Sequence, residues 1–419
     1  MAVNCLTAFI FLIGSLSAIQ IKGCDSMADF NRNNRCPLNG KAFNDVFSKG
    51  RYLGEGNFGV VKEIKWGEKR AAVKEIEMPT NLLIKEIQER EIGILKIMNE
   101  KNAAANFYGC VVDEEKKKMY LVQEKLYKDL ETKGVADKLR SLPAHKRILR
   151  YIKIAEAFQR LHENYVAHED IKTANIMAVD NKLNDFRIID FGLSVMINEP
   201  IVGGSPIHNA PEKVNRQNIV GNMNKPASDV VYATTGHDVY ALAMAFAFME
   251  TSMKEIIANL SPKCVLHSYT PECSSTILTN VKNGLEKRNQ GRLANIILKA
   301  LDYDRFKRTG SIENLKNELI GLYNELSREN NLPPINESNS VSDLLKSQVE
   351  FDNAMKAYEV SMAQKEYTMK DTHIDEDDIL TRFLIDEDSD ELVDDMTDTV
   401  KDYFNFLKID KVQIASHLI

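Results

Sequence analysis

The sequence predicts an α+β fold in which a small, mostly antiparallel β-sheet with one helix precedes a mainly α-helical lobe. Strand patterns bounded by glycine and charged turns are concentrated between residues 46 and 124, and helical periodicity dominates after Lys125. The 419 residues, 44% apolar and 27% charged, can bury one large core or two modest ones. This composition excludes collagen-like, wholly disordered and multi-span membrane proteins.

The predicted elements follow one another in a simple order. Residues 46–67 predict a strand, a glycine turn and a second strand, and residues 70–76 predict a third strand with alternating burial. A helix comes next, because apolar side chains recur at near-helical spacing at Ile84, Ile87, Ile92, Leu95 and Met98. Further strands are expected at 106–113 and 118–124, and the long helices of the second lobe at 148–163, 238–252, 291–302 and 312–326.

Charge is unevenly distributed along the chain. Residues 331–419 carry 21 acidic and 8 basic side chains, a net charge of −13, whereas the residues before them carry a net charge of +6. The acidity therefore belongs to the tail, and no nucleic-acid partner is expected.

A glycine-rich turn joins the first two predicted strands, in the segment Gly54-Glu-Gly56-Asn-Phe-Gly59-Val-Val61. Such a hairpin lets backbone amides approach phosphate groups without obstruction by side chains, although many similar segments are simply turns. Lys74 interrupts the buried strand that follows, where an unpaired ammonium group is costly. Glu91 on the inward face of the predicted helix, together with nucleotide phosphates, would pair with it. The alternative is a surface lysine and a surface glutamate.

The strongest chemical signal is the segment His168-Glu-Asp170-Ile-Lys172-Thr-Ala-Asn175, followed after fifteen residues by Asp190-Phe-Gly192 at the end of an apolar strand. Phosphoryl transfer needs an acid near the incoming hydroxyl, a cation at the transferred phosphate, and oxygen ligands for magnesium. Asp170 and Lys172 are side chains of the first two types. Asn175 and Asp190 supply oxygen ligands.

Together these motifs resemble the eukaryotic protein-kinase family over about residues 47–326. The resemblance implies a bilobal protein-kinase-like fold with lobes at 47–124 and 128–326, ATP and Mg²⁺ as cofactors, and a protein substrate. It implies catalytic roles for Lys74, Glu91, Asp170 and Lys172, nucleotide binding by Gly54, Gly56, Gly59, Val61, Lys74, Glu124 and Leu126, and metal binding by Asn175 and Asp190.

Further segments match the family in its order. Gln123 is similar to the gatekeeper residue before the hinge at residues 124–126, and residues 204–212 resemble the end of an activation segment. Asp238 resembles the start of the large central helix, and Arg308 the partner of Glu212. The position of Lys172, two residues after the predicted base, is similar to that in serine/threonine kinases and favours a Ser or Thr acceptor.

Two departures from the family pattern are informative. Glu169 stands where many kinases carry an arginine that clamps a phosphate on the activation segment. A glutamate would repel that phosphate, so we predict that activation-segment phosphorylation is not required. The interval from Glu212 to Asp238 is also longer than usual by roughly a dozen residues, which predicts an inserted surface loop.

The N-terminus and the cysteines predict a secretory protein. Residues 5–16 are apolar and small residues follow at 17–18, a pattern typical of a signal peptide over residues 1–18, with an uncleaved signal-anchor or a buried helix as alternatives. No stable membrane anchor is expected. Two short-range pairs, Cys24 with Cys36 and Cys264 with Cys273, would close small loops in polar surroundings, although four cysteines allow three connectivities that the sequence does not rank. Cys110 is expected to be a buried strand thiol. The alternative is that all five are reduced thiols in a cytosolic protein. Two sites at Asn259 and Asn336 are compatible with glycosylation.

Three segments complete the predicted organisation. Residues 19–46 read as a polar segment, residues 327–342 as a linker, and residues 343–419 as an acidic, partly helical extension. Alternating aspartates at 386–397 suggest a calcium loop, but Glu391 and Thr397 replace the glycine and glutamate that it needs. A solvated acidic segment and an arm that docks on the kinase domain are the alternatives.

The leading functional hypothesis is an active protein kinase of the secretory pathway that phosphorylates Ser or Thr. One alternative is a catalytically inactive ATP-binding scaffold. The other is a small-molecule kinase of related fold. Residues 210–212 with Arg308 argue against the latter, because that apparatus belongs to kinases with protein substrates.

Overall fold

The computed structural model describes residues 40–346, except 57–58, 67–68, 79–81, 114, 202, 215–230, 262–263, 265–269 and 337–339, and it also describes residue 353. The chain forms two compact units. Among the described residues, the first contains 40–142 together with 150–319, and the second contains 143–149 together with 320–346.

The first unit begins with a helix and a five-stranded antiparallel sheet. Helix α1 spans Gly40–Ser48, and helix α2 (Leu82–Glu100) lies between the third and fourth strands in the chain. The strands are β1 (Arg51–Gly56), β2 (Gly59–Trp66), β3 (Lys69–Glu77), β4 (Phe107–Asp113) and β5 (Lys118–Glu124), in the spatial order β1-β2-β3-β5-β4. The predicted strands and the predicted helix of this lobe are therefore present, with their ends shifted by a few residues.

One face of the sheet packs against α1. Phe43 and Phe47 are four residues apart, so both lie on one side of α1, and each ring centroid is 5.1 Å from that of Tyr120 on β5. Phe43 is fully buried. The predicted polar segment over residues 19–46 ends within α1, where Phe43 belongs to the core of this lobe and Asp45 and Val46 are exposed.

The opposite face of the sheet carries different side chains. The register pairs Lys74 with Leu121 and Ala72 with Gln123. Paired residues share a face, and side chains alternate between faces along a strand. Gln123 is two residues after Leu121, the partner of Lys74, so the side chains of Gln123 and Lys74 lie on the same face of the sheet.

The remaining elements form a mainly helical region. They are β6 (Lys128–Asp129), α3 (Lys133–Ser141), α4 (Ala144–Glu163), β7 (Val166–Ala167), β8 (Ile176–Ala178), β9 (Phe186–Ile188), β10 (Val195–Met196), α5 (Thr235–Glu250), α6 (Met253–Ile256), α7 (Pro271–Glu286), α8 (Gly291–Ala300) and α9 (Ile312–Glu329). The short strands pair as β7 with β10 and as β6-β8-β9.

Helix α5 is the centre of the helical core. It is apolar on nearly every side, as expected of a helix that is covered all round. Tyr151 of α4 stacks on Phe246 with ring centroids 4.7 Å apart, and its hydroxyl donates to Glu250 at 2.7 Å. The buried polar atoms of this contact are thereby satisfied.

In the second unit, the chain after α9 folds back on the helix. Asn324 exchanges two hydrogen bonds with the backbone of Ile335, and the hydroxyl of Tyr323 donates to the carbonyl oxygen of Pro333 at 3.2 Å. Residues 341–346 are helical, and Leu344 and Leu345 are buried. The predicted linker at 327–342 therefore starts inside α9 and is partly packed.

The described cysteines agree with the predictions in one case and differ in the other. Cys264 and Cys273 form a disulfide with their Cα atoms 5.6 Å apart. Cys110 is a free thiol in β4, and it is half-buried rather than fully buried because β4 is an edge strand of the sheet. Burial raises the pKa of the Cys110 thiol.

Several predictions concern residues outside the described ranges: the leader, the Cys24–Cys36 pair, the acidic segment at 386–397 and the middle of the insertion at 215–230. Within the described ranges, no helix is both long enough and apolar enough to span a membrane.

Candidate active site

A cavity of about 550 Å³ lies in the first unit, against the face of the sheet that carries Lys74. This volume is in the range of small-molecule sites. Gly56 pairs with Gly59 at the end of the β1–β2 hairpin and is not among the described lining residues. The lining includes the other predicted nucleotide-binding residues, Gly54, Gly59, Val61, Lys74, Glu124 and Leu126.

The glycines of the hairpin are needed for different reasons. Gly59 has φ +135°, and a Cβ atom at this position would overlap the carbonyl oxygen of Glu75 on β3. Only glycine fits, because the β2 backbone approaches β3 so closely here. At Gly54, by contrast, a Cβ atom would meet no other atom within 4 Å and would add to the cavity wall.

Lys74 lies between two carboxylates in this cavity. Its Nζ is 2.8 Å from Oε1 of Glu91 on α2 and 2.9 Å from Oδ1 of Asp190. Burial by itself lowers the pKa of Lys74, but the negative charges of Glu91 and Asp190 outweigh burial, so the pKa is raised. The side chain is therefore a charged ammonium group held in one place, and the predicted contact with Glu91 is present.

Gln123, the predicted gatekeeper, also lines the cavity. Its Nε2 atom is buried and has no hydrogen-bond partner within the described residues. The next residue, Glu124, is tied to Asn106, since its backbone N–H donates to the Asn106 carbonyl and its carboxylate accepts from the Asn106 amide, both at 2.8 Å.

Asp170 receives hydrogen bonds from three residues. Lys172 Nζ lies 2.8 Å from Oδ2, and Asn175 Nδ2 lies 3.2 Å from the same oxygen. The backbone N–H and the hydroxyl of Ser205 both contact Oδ1, at 2.8 and 2.7 Å. Burial raises the pKa of Asp170, but the hydrogen bonds from Lys172 and Ser205 outweigh it and hold the pKa below its usual value. At neutral pH, Asp170 is a carboxylate.

Asn175 and Asp190 are brought together by the backbone. The Ile189 amide donates to the Asn175 carbonyl at 3.0 Å, and both Asn175 and Asp190 line the cavity. Amide and carboxylate oxygens suit Mg²⁺, which takes few protein ligands and completes its shell with water and phosphate. Among the described residues there is no group of three or more His, Cys, Asp or Glu that could hold a metal ion. The donor set fits magnesium held jointly with a nucleotide.

Asp238 has a role that the sequence did not reveal. Its fully buried carboxylate accepts from the backbone N–H of His168 at 2.8 Å and of Glu169 at 3.0 Å, and it lies 2.9 Å from His162 Nε2. Burial raises the pKa of Asp238, but these hydrogen bonds outweigh it and lower the pKa. Helix α5 thereby fixes the loop that carries Asp170. Sequence analysis recognised Asp238 only as the start of this helix.

The end of the activation segment is anchored by ion pairs. Arg308 contacts Glu212 through two parallel bonds, Nη1 to Oε1 at 2.8 Å and Nη2 to Oε2 at 3.0 Å, as the sequence predicted. Glu169 is also paired: its Oε2 lies 2.7 Å from Lys213 Nζ, and its Oε1 lies 3.0 Å from His237 Nδ1. Sequence analysis missed Ser205, Lys213 and His237, since no local pattern distinguishes them.

Comparison with known proteins agrees with this geometry. The model of the protein kinase domain matches residues 47–320. The chain belongs to the protein kinase family. This kinase is 31% identical to serine/threonine-protein kinase 33 of Mus musculus over 193 residues, which are 42% of this chain and 38% of that protein.

Other relatives cover different lengths. Cyclin-dependent kinase G-1 of Oryza sativa subsp. indica is 27% identical over 43% of this chain and 24% of its own length. The Arabidopsis thaliana leaf rust 10 disease-resistance locus receptor-like protein kinase-like 1.1 is 25% identical over 68% of this chain and 46% of its own length. This kinase thus spans less than half the length of each of these relatives.

Proposed function

We propose that this kinase is active and transfers the γ-phosphate of ATP to Ser or Thr hydroxyls of protein substrates. The observation that carries the proposal is the position of Asn175. Its side chain contacts the carboxylate of Asp170 and lines the cavity that also contains Lys74 and Asp190. The group that would accept a proton and the groups that would hold phosphates are therefore neighbours.

Each side chain has a distinct task in this reaction. The substrate hydroxyl oxygen attacks the γ-phosphorus, its proton passes to Asp170, and the bond from the γ-phosphorus to the bridging oxygen of ADP breaks. Lys74 holds and neutralises the phosphates of ATP, and Lys172, 2.8 Å from Asp170, places a cation at the transferred group. Asn175 and Asp190 would hold Mg²⁺, which neutralises charge on the phosphate oxygens.

The test is phosphate transfer from radiolabelled ATP to a generic protein substrate by the full chain. Lys74→Met and Asp170→Asn are each expected to reduce transfer by orders of magnitude while the protein stays folded, because they remove a cation and a proton acceptor rather than core volume. Lys182→Met, at an exposed lysine, is the control and should leave transfer unchanged.

The same assay separates the competing functions. Wild-type protein that binds ATP without transferring phosphate is an inactive scaffold, and transfer to small metabolites but to no protein indicates a small-molecule kinase. Transfer at equal rates by wild type and Asp170→Asn would overturn the mechanism.

We further propose that this kinase acts in the lumen of the secretory pathway or outside the cell. The apolar leader and the Cys264–Cys273 disulfide support this location. Protein recovered from its native cells should begin near Ile19, and peptide mapping without reductant should recover linked Cys264 and Cys273 peptides. An intact Met1 with all thiols reduced would contradict the location and leave the kinase chemistry unaffected.

A further inference from the structure

Lys213 is a lysine buried inside the first unit. Its side chain is 2% exposed and that of its partner Glu169 is 0% exposed. The ammonium Nζ lies 2.7 Å from Glu169 Oε2 and 2.5 Å from the carbonyl oxygen of the same residue. The other carboxylate oxygen of Glu169 faces His237 Nδ1 at 3.0 Å. Burial of two opposite charges is tolerated only with such close pairing.

Lys213 contacts the backbone next to the catalytic carboxylate. Glu169 directly precedes Asp170 and has φ +62°, a left-handed conformation that is unfavourable for a residue with a Cβ atom. Its N–H is held by Asp238 and its carbonyl oxygen by Lys213. That carbonyl belongs to the peptide bond leading into Asp170, and the N–H of the same peptide donates to His168 Nδ1 at 3.3 Å. The ammonium group of Lys213 therefore holds the carbonyl side of this peptide.

The same ammonium group lies against the activation segment. At Gly204 (φ +148°) a Cβ atom would come within 2.7 Å of Lys213 Nζ and 2.8 Å of the Glu169 carbonyl oxygen. The segment at Gly204 therefore packs directly on the Lys213–Glu169 contact. The next residue, Ser205, donates its N–H and its hydroxyl to Asp170. One buried cation thus touches both segments that meet at Asp170.

The position of the cluster in the chain is also informative. Lys213 and His237 flank the inserted segment, whose middle, residues 215–230, is not described. Both ends of the insertion meet at one carboxylate, that of Glu169. Lys213 also directly follows Glu212, which is bound by Arg308. Two adjacent residues of the helical turn at 211–214 therefore make ion pairs with different parts of the chain. Lys213 binds Glu169 in the loop that carries Asp170, and Glu212 binds Arg308 in the segment before α9.

We propose that Lys213 is a positioning residue for phosphate transfer. Together with Glu169, which also contacts His237, it holds the Asp170 peptide and the Gly204–Ser205 segment in a fixed position relative to each other. The expected effect of Lys213 on the rate of transfer rests on the proposed kinase activity. Lys213 does not touch the cavity that would hold the nucleotide. Its loss should therefore affect the rate of transfer and the binding of protein substrate, and not the binding of ATP.

The experiment compares wild type with Lys213→Met, Lys213→Arg and the double variant Glu169→Gln/Lys213→Met. Lys213→Met is expected to lower kcat by about 100-fold, with the KM for ATP changed less than twofold, since small displacements of a catalytic group have effects of this size. Lys213→Arg should recover at least part of the loss. Removal of both charges should restore stability lost in Lys213→Met. In that variant kcat should stay at least tenfold below wild type, because the carbonyl side of the Asp170 peptide is no longer held.

A second readout does not depend on activity. Amide hydrogen exchange in the peptide that contains Ser205 should increase at least tenfold in Lys213→Met and in the double variant, with exchange in β3 and β5 unchanged. If wild type transfers no phosphate but Ser205 exchange increases as expected, the proposed function fails and the positioning role stands.

The proposal is overturned if wild type is active and the folded double variant keeps both wild-type kcat and wild-type Ser205 exchange. If Lys213→Met alone does not fold, the double variant still tests the proposal, because it leaves no unpaired carboxylate in the interior.

Discussion

The hydroxyl of Ser205 lies 2.7 Å from Oδ1 of Asp170, and Lys172 Nζ lies 3.2 Å from the same hydroxyl. Lys172 also contacts the second carboxylate oxygen of Asp170 at 2.8 Å. The three side chains form a closed ring of hydrogen bonds that contains one negative and one positive charge. In this ring Asp170 is stabilised as a carboxylate, which is the form that accepts a proton.

Removal of the cation from this ring should change the pH dependence of activity. Burial raises the pKa of Asp170, and the hydrogen bond from Lys172 is the largest of the effects that lower it. In Lys172→Met the pKa of Asp170 should rise, so the carboxylate becomes protonated at a higher pH. The acid limb of the kcat/KM profile should therefore move to higher pH. The profile is measured from pH 4 to 8, with exposed Lys182→Met as the control. A lower plateau with an unmoved limb would mean that Lys172 acts only on the phosphate.

The hairpin glycines offer a matched pair of substitutions. Gly59→Ala places a methyl group onto the Glu75 carbonyl at φ +135°, whereas Gly54→Ala places it in open space. Gly59→Ala is expected to lower the free energy of unfolding by about 3 kcal/mol or more. Gly54→Ala should change it by less than about 0.5 kcal/mol. Urea unfolding of both variants checks the difference, and equal stabilities would contradict the close approach of β2 to β3.

The sequence predicts those site residues whose role follows from their own side-chain chemistry. It does not predict residues whose role depends on contact with a partner that is distant in the chain. Asp170, Lys172, Asn175 and Asp190 are recognisable because phosphoryl transfer requires those side chains in that order. Their partners are not recognisable in this way. Lys213 is 44 residues from Glu169, and nothing near it in sequence indicates that its ammonium group is buried.

The fold shows the same distinction. The sheet and the long helices follow from periodic burial, which a sequence displays directly. Helix α1 was missed because its apolar contact with the sheet depends on two residues, Phe43 and Phe47, in a short segment without a longer helical repeat of apolar side chains. Asp238 was placed correctly in a helix. Its carboxylate, however, accepts hydrogen bonds from His168 and Glu169, about 70 residues earlier in the chain. The spacing of apolar residues gives no information about such long-range contacts.

His208 should make the protein more sensitive to acid. Its ring packs 4.9 Å from that of Phe248, and neither ring nitrogen has a hydrogen-bond partner in the described part of the chain. Burial lowers the pKa of His208 to about 4. The unfolded chain takes up this proton near pH 6.5 and the folded protein only near pH 4. The stability that the neutral ring provides is therefore complete above pH 6.5 and lost as the pH falls towards 4, by about 3 kcal/mol.

His208→Phe should flatten this part of the stability curve, measured by urea unfolding between pH 4 and 7. His208→Gln is the control: it also removes the titration but keeps a buried polar group, so it should be less stable than His208→Phe at pH 7. A wild-type loss of stability between pH 6.5 and 4 that persists unchanged in both variants would contradict the assignment to His208.

The final prediction concerns activation by phosphorylation. The Glu169 carboxylate is buried and paired with Lys213 and His237, so this position presents no accessible cation where an arginine would bind a phosphate. Enzyme treated with phosphatase should therefore keep most of its activity.

Glu169→Arg should lower kcat by about 100-fold whether or not the segment is phosphorylated, because it places a cation against Lys213 inside the protein. Glu169→Gln, which keeps the shape and removes the charge, should lose less. Activity is assayed before and after dephosphorylation, with mass spectrometry of residues 194–205. The prediction is wrong if dephosphorylation abolishes activity and the responsible site maps to that range.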